Sequence, residues 1–284
     1  MSRKNSDRMR GHRHSNAMPP SSPTQQAEAF SFVVPTDFVD LPSKGRYYSE
    51  NHPLYNKDIL EIKHMTAKEE DILTSKTLLK KGIAIDRVIE NVIVDKSIDP
   101  SSLLVGDRNA IIIALRAASY GSRYETKVVC PSCQTKVEFA FNLEDPNVYS
   151  GDDISDIDIA RNEDGTFDVE LPATKIMATF RLLTGRDEKT YLNNLEQDKK
   201  SKGGEKVVSR QLMTMLVAIN GDDSIETRRY VAQNLPSMDS RHLRLAYKTA
   251  NPNIDLTQDF ECSSCGFEEQ MEVPLSADFF WPDR

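Results

Sequence analysis

Apolar positions along this chain change their spacing several times, and each change marks a predicted element. Phe30–Val34 and Phe38–Leu41 are dense in apolar residues, are interrupted by Pro35 and Pro42, and read as strand. Lys44-Gly45-Arg46 reads as a turn, and Asp58–Met65, carrying Ile59, Leu60 and Ile62, as a second strand. The period then lengthens. Thr66-Ala67-Lys68-Glu69 fits a capping box opening a helix to about Ser75, which Thr77–Lys81 extends until Gly82 stops it. Ile85, Val88, Ile89, Val92 and Ile93 share one face of a second helix, and Asp99-Pro100 ends that region. A third helix is expected over Ala110–Ala118. Asp107 would cap it, Ile111, Ile112, Leu115 and Ala118 would face inward, and Tyr120-Gly121 would close it.

Residues 124–142 return to a period of two: Lys127-Val128-Val129, a tight Cys-Pro-Ser-Cys bend, then Lys136–Phe141 with Val137, Phe139 and Phe141 alternating. Residues 143–170 hold ten acidic side chains and one basic, Arg161, and read mostly as a solvated loop ending in a hairpin at Asp164-Gly165. Strands follow at Thr166–Leu171 and Ile176–Leu182. Helices are expected at Asp187–Glu196, at Val207–Ile219 with Leu212, Met215, Leu216 and Ile219 inward, from Asp223 or Ser224, and at Met238–Tyr247 with Leu243 and Leu245; Lys199–Gly204 is a flexible break. A second bend, Cys-Ser-Ser-Cys-Gly, lies between Asp259–Glu261 and Glu268–Val273, and Phe279-Phe280-Trp281-Pro282 follows. That aromatic cluster either docks on its own core, the favoured reading, or anchors a partner.

Composition adjusts this picture in three ways. The 284 residues suffice for one large domain or two modest ones. A net charge of −8 offers no general attraction to nucleic acid or anionic membrane, and the longest comparable apolar run, Ala110–Leu115, is far too short to cross a bilayer. Residues 1–29 carry Arg3, Lys4, Arg8, Arg10 and Arg13 among polar residues, without a core or a secretory apolar segment, and are expected to be a solvated, disordered arm. The expected location is the cytoplasm of the cell that makes the protein.

The strongest chemical signal is the four cysteines, Cys130, Cys133, Cys262 and Cys265, in two C-x-x-C pairs. Each pair sits between strand-like segments, so each bend presents two sulfurs on one side, and Gly266 follows the second where a positive φ is often needed. Two such knuckles make a four-thiolate site for one structural Zn2+. The 128 residues between Cys133 and Cys262 would then form a folded insertion whose ends return to one point. Disulfides or a redox pair fit less well, because neither pair opens a helix beside a strand and the chain is large with no secretory signal. A catalytic zinc would keep an open position that four cysteines do not leave.

Other chemistry is weak. His52, His64 and His242 have no partner at metal spacing, and no P-loop, G-x-S-x-G or G-x-G-x-x-G motif occurs. Asp152, Asp153, Asp156 and Asp158 lack the glycine and glutamate of a calcium loop. Arg228-Arg229 with Arg241 and Arg244 could form a basic face or simply a wet surface. No catalytic or cofactor-binding residue is expected beyond the metal ligands, and the chain reads as a non-enzyme.

Several segments together carry a resemblance. Thr74-Ser75-Lys76, Leu78-Leu79-Lys80-Lys81-Gly82, Gly106-Asp107-Arg108-Asn109, Arg116-Ala117-Ala118-Ser119-Tyr120-Gly121, both knuckles and Phe279-Phe280-Trp281-Pro282 resemble the T4-type phage baseplate protein family, over roughly residues 38–284. The resemblance implies a protein made in the infected cell that helps build the tail baseplate hub, or becomes part of it, by contact with other tail and hub proteins. It carries over no catalytic residues. Segment 66–120 also has the character of tail assembly chaperones that engage the tape-measure protein. A rival from another class is a nucleic-acid-binding zinc ribbon using the basic arm, against which stand Asp259, Glu261, Glu268, Glu269 and Glu272 around the second knuckle. A metallohydrolase would lack a base and an open ligand position.

The expected architecture is therefore α+β, with helical blocks around a split zinc ribbon and an N-terminal strand arm. Its parts are the arm 1–29, a strand-rich segment 30–65, a helical block 66–123, the ribbon 124–142 plus 257–284, and an insertion 143–256 of acidic loop, hairpin and helices.

Overall fold

The computed structural model describes residues 33–80, 82–144, 146–152, 157–200, 206–274 and 277–280. The basic arm, Phe30–Phe32, Lys81, Asp153, Asp156, Ser201–Glu205 and Trp281-Pro282 lie outside the described residues.

Among the described residues the first strand is β1 (Thr36–Asp40), which pairs antiparallel with β2 (Ile59–Lys63). Between them Lys44 and Gly45 both take positive φ, 50° and 68°. The capping box forms as read: the Thr66 amide and hydroxyl donate to Glu69 Oε2 at 3.0 and 2.6 Å, opening α1 (Ala67–Thr74). The extended backbone of Ser75 separates it from α2 (Lys76–Lys80). Helix α3 (Ala84–Val92) buries Val88, Ile89 and Val92, and Ile93 continues into a bridge with Ile62.

Helix α4 (Val105–Tyr120) is the longest apolar element and the hub of the packing. It begins at Leu104, so Asp107 lies inside its first turn rather than capping it. That carboxylate is buried and serves the tertiary structure instead. Ser43 donates its amide and hydroxyl to it at 3.0 and 2.7 Å, and Tyr48 its hydroxyl at 2.7 Å, while the Tyr48 oxygen accepts from the Leu104 amide. The neighbouring residues are equally committed. Gly106 lies against the Pro252 carbonyl, where an added Cβ would come within 1.9 Å of the oxygen, so no side chain fits. Arg108 pairs with Asp86 at 2.7 Å, and Asn109 donates to Asn253 at 3.1 Å. Further along, the inward side chains are Ile111, Ile113, Leu115 and Arg116, with Ile112 and Ala118 only partly buried.

Arg116 is fully buried, and among the described residues no carboxylate pairs with it. Its Nε donates to the Phe279 carbonyl at 2.7 Å and one terminal nitrogen to the Gly121 carbonyl at 2.8 Å, while its guanidinium lies over the rings of Tyr120 and Tyr124. Phe279 and Phe280 are buried in the same place, on a short 3-10 turn (Ala277–Phe280), so these two aromatics dock on the chain's own core.

After Gly121, whose φ of 82° ends α4, come β3 (Arg123–Val129) and β4 (Lys136–Asn142), an antiparallel hairpin. The described part of the acidic stretch is more ordered than its charge suggests. It contains β5 (Asn147–Tyr149) and β6 (Ile159–Arg161), and its Asp152 is paired with Arg46 at 2.5 Å. Strands β6, β7 (Thr166–Glu170) and β8 (Met177–Arg181) run antiparallel, with Gly165 at φ 82° between the first two.

Helix α5 runs over Gly185–Lys200, past the expected end, and α6 over Val207–Met215, tied together by Asp198 and Arg210 at 2.9 Å on both oxygens. The second of these was expected to continue to Ile219. Instead Leu216–Ile219 is a strand, β9, that adds to the edge of β8 and completes the sheet order β6-β7-β8-β9. Its four apolar residues suit either structure by pattern, and an open sheet edge beside them decides for strand. Helix α7 (Ile225–Asn234) is capped by Ser224, and α8 (Ser237–Ala250) is held to the turn after β7 by buried Asp239, which accepts from Ala173 and Thr174. Strand β10 (Asn253–Asp255) pairs with β5, and the hairpin β11 (Thr257–Glu261) and β12 (Glu268–Glu272) follows. The buried apolar residues form one continuous core from Val39 to Phe280.

Burial raises the Asp107 carboxyl above its ordinary 3.8, against the hydrogen bonds from Ser43 and Tyr48. The folded chain therefore holds this proton to higher pH than the unfolded chain. Its contribution to stability is complete below the ordinary value and declines as pH rises through the raised one. Asp107→Ala strands the Ser43 and Tyr48 donors and should lower the unfolding free energy by about 2–4 kcal/mol. In urea unfolding the loss relative to wild type should be larger near the ordinary carboxyl value of 3.8 than at pH 8.

Candidate metal centre

Each knuckle is a hairpin turn, and the two turns repeat one backbone pattern. In the first, the Cys130 amide donates to the Thr135 carbonyl at 3.0 Å and the Gln134 amide to the Cys130 carbonyl at 3.0 Å. In the second, Cys262 donates to Phe267 at 2.9 Å and Gly266 to Cys262 at 2.8 Å. The residue after each second cysteine is left-handed, Gly266 at φ 68° as its type suggests and Gln134 at φ 60° despite its side chain. Aligning the two C-x-x-C pairs puts Gln134 and Gly266 in register, which is the sequence signal for that strained position.

The two hairpins meet although 128 residues separate them. Phe139 on β4 packs edge-on against Phe260 on β11, ring centroids 5.2 Å apart. Gln258 closes the other end: its Oε1 accepts the Asn142 amide at 2.9 Å and its Nε2 donates to the Asn142 carbonyl. The β5–β10 pair lies one short step further along both strands and closes the base of the excursion. Phe279 backs the first hairpin, edge-on to Tyr124 at 5.0 Å. Sequence reading named Phe139 only for its alternation and did not single out Gln258. Their partners lie more than 100 residues away, beyond any local periodicity.

This packing brings all four cysteines together. Their sulfurs lie within 4.8 Å of one another, Cys130 and Cys265 at 3.8 Å and Cys133 and Cys262 at 3.8 Å, so the first cysteine of each knuckle faces the second of the other. All four are free thiols. A tetrahedral ion with bonds of about 2.3 Å sets its ligands about 3.8 Å apart, so the donor set fits a thiolate-bound metal in chemistry and in spacing. Cys130 and Cys262 are buried, and Cys133 and Cys265 face outward. Hydrogen bonds from Thr135 bring the Cys133 thiol down to about 6, which makes it a thiolate at neutral pH. At Cys265 the Phe267 amide opposes, but burial and the surrounding thiols prevail and push it up to about 12. Four crowded sulfurs cannot all ionise without a cation between them.

The histidines take ordinary roles. His52 bonds Ser102 at 2.8 Å and stacks on Tyr48, and His64 pairs with Asp37 at 2.7 Å. The cysteines form the only grouping of potential metal ligands among the described residues, and no helix there is long and apolar enough to cross a membrane.

The chain is thus α+β and folds a long excursion back onto a pair of cysteine knuckles. The chain belongs to the T4 bacteriophage base plate protein family, whose family model matches residues 36–281. Neither the curated proteins nor the solved structures contain a significant match to it.

A side chain added at Gly266 would meet nothing within 4 Å, so any penalty there is conformational. Gly266→Ala should cost about 1 kcal/mol, whereas Gln134→Gly should be neutral or stabilising, by up to about 1 kcal/mol. Urea unfolding of the two variants checks the opposed signs.

Proposed function

We propose that this protein is a structural part of the base plate of a contractile phage tail, acting in hub assembly through protein–protein contacts, and that one zinc ion held by Cys130, Cys133, Cys262 and Cys265 staples its fold as a split zinc ribbon. The observation that carries the reading is the meeting of four thiols at tetrahedral spacing inside a chain whose family match covers nearly all of its described residues. A cross-link closing a loop of this length removes roughly 5 kcal/mol of denatured-chain entropy on the relation used for disulfides. The metal is a staple and not a reagent, because four protein sulfurs leave no position for water or substrate. The exposed carboxylates Asp259, Glu261, Glu268, Glu269 and Glu272 beside the second knuckle favour a protein partner over a nucleic acid.

Elemental analysis of the purified chain should give about one zinc per molecule. Cys130→Ser with Cys262→Ser should abolish binding together with cooperative unfolding. Metal-free wild type with an unchanged unfolding curve would defeat the zinc assignment. Deleting the gene from the phage should leave tails that lack base plates; base plates of normal composition would defeat the hub role, whatever the metal result.

A further inference from the structure

A cleft of about 340 Å³ opens far from the cysteines, where the end of β2, the start of α1 and the end of α3 converge; Lys63, His64, Thr66, Lys68, Glu69 and Lys96 contribute to its wall. Its charge is lopsided in a chain of net −8. The acids around it are already engaged. Glu69 accepts from Thr66 on one oxygen and from Asn91 on the other, Glu90 pairs with Arg87 at 3.0 Å, and Asp37 pairs with His64. Among the described residues, the side chains of Lys63 and Lys68 have neither an ion pair nor a hydrogen bond. Lys68 also sits in the first turn of α1, where the helix dipole disfavours a cation. Lys96 donates to the Glu90 and Asn91 carbonyls at the end of α3, at 2.7 and 3.0 Å. Burial, then the charge of Lys63 and that of Lys68, hold its ammonium below the ordinary lysine value, against the pull of Glu90 and Glu69. Three ammonium groups thus share one recess whose wall, among the described residues, holds a single carboxylate, that of Glu69.

We propose that this cleft is a binding site for the carboxylate side chains of an acidic segment of a partner protein. The ligand class follows from what the wall contains and omits. Lysines supply mobile point charges that suit separate carboxylates, and the wall holds no arginine fork of the kind that grips a phosphate in two places. A recess of this size, near the lower end of ligand pockets, admits a few side chains of an extended segment and not a folded domain. The site stands apart from the metal centre and does not depend on the base plate reading.

The test uses the full chain and a fluorescein-labelled hexaglutamate peptide, read by fluorescence anisotropy at low and moderate salt, with inorganic phosphate as competitor. Saturable, salt-sensitive binding is expected, weakened about tenfold in Lys63→Ala with Lys68→Ala. It should be unchanged in Lys127→Ala with Lys175→Ala, which removes the same charge from exposed lysines elsewhere. Thermal melting of both variants should match wild type, since neither Lys63 nor Lys68 holds the fold. No binding, or equal weakening in both variants, overturns the proposal. Phosphate that displaces the peptide at sub-millimolar concentration overturns the carboxylate assignment.

Discussion

The structure depends on one reunion: the hairpin at Cys130–Cys133 must meet the hairpin at Cys262–Cys265 after a 128-residue excursion. Closing so long a loop carries a large entropic penalty, and no single contact could offset it. Several act in series. Strand β5 pairs with β10, Gln258 grips the Asn142 backbone through both amide atoms, and Phe139 meets Phe260. The sulfurs come last in this series and are brought to within 4.8 Å of one another by it. A metal there would add the cross-link that holds the two knuckles together.

Around this reunion, α4 works as an axle. One end holds the Ser43–Tyr48 loop through Asp107 and accepts β10 against Gly106; the other holds the Phe279 carbonyl through Arg116. Two of the segments that carry the family resemblance, Gly106–Asn109 and Arg116–Gly121, are these two ends. Their residue types reflect long-range packing and polar satisfaction rather than chemistry on a substrate. A buried arginine satisfied by carbonyls and rings, and a buried aspartate satisfied by hydroxyls and an amide, each replace lost hydration with fixed partners.

Local patterns in the sequence were legible where local physics decides the outcome. The Thr66–Glu69 box, the stop at Gly121, the Ser224 cap and the two knuckles are all set by contacts within a few residues. The α+β mixture was readable for the same reason, whereas the meeting of the cysteines was readable from the matched C-x-x-C pairs and the demand of a metal for four ligands. What local pattern could not reveal was decided at a distance. Leu216–Ile219 became strand because β8 offered an edge, and the acidic stretch gained β5 because β10 lay opposite. Asp107 has the residue type of a cap but was claimed by Ser43 and Tyr48, some sixty residues earlier.

The docking of Phe279 has a consequence for the order in which the molecule is made. Its ring and carbonyl complete the pocket around Tyr124 and Arg116, and the second knuckle reaches the first only after Cys265 exists. Everything from α4 to β4 thus emerges from the ribosome with an apolar flank and a buried cation still bare. The nascent chain can form its helices and hairpins on the way, but the core shuts in a single late step once residues 254–280 arrive. Until then the half-built protein is the species most exposed to aggregation and most in need of protection by chaperones.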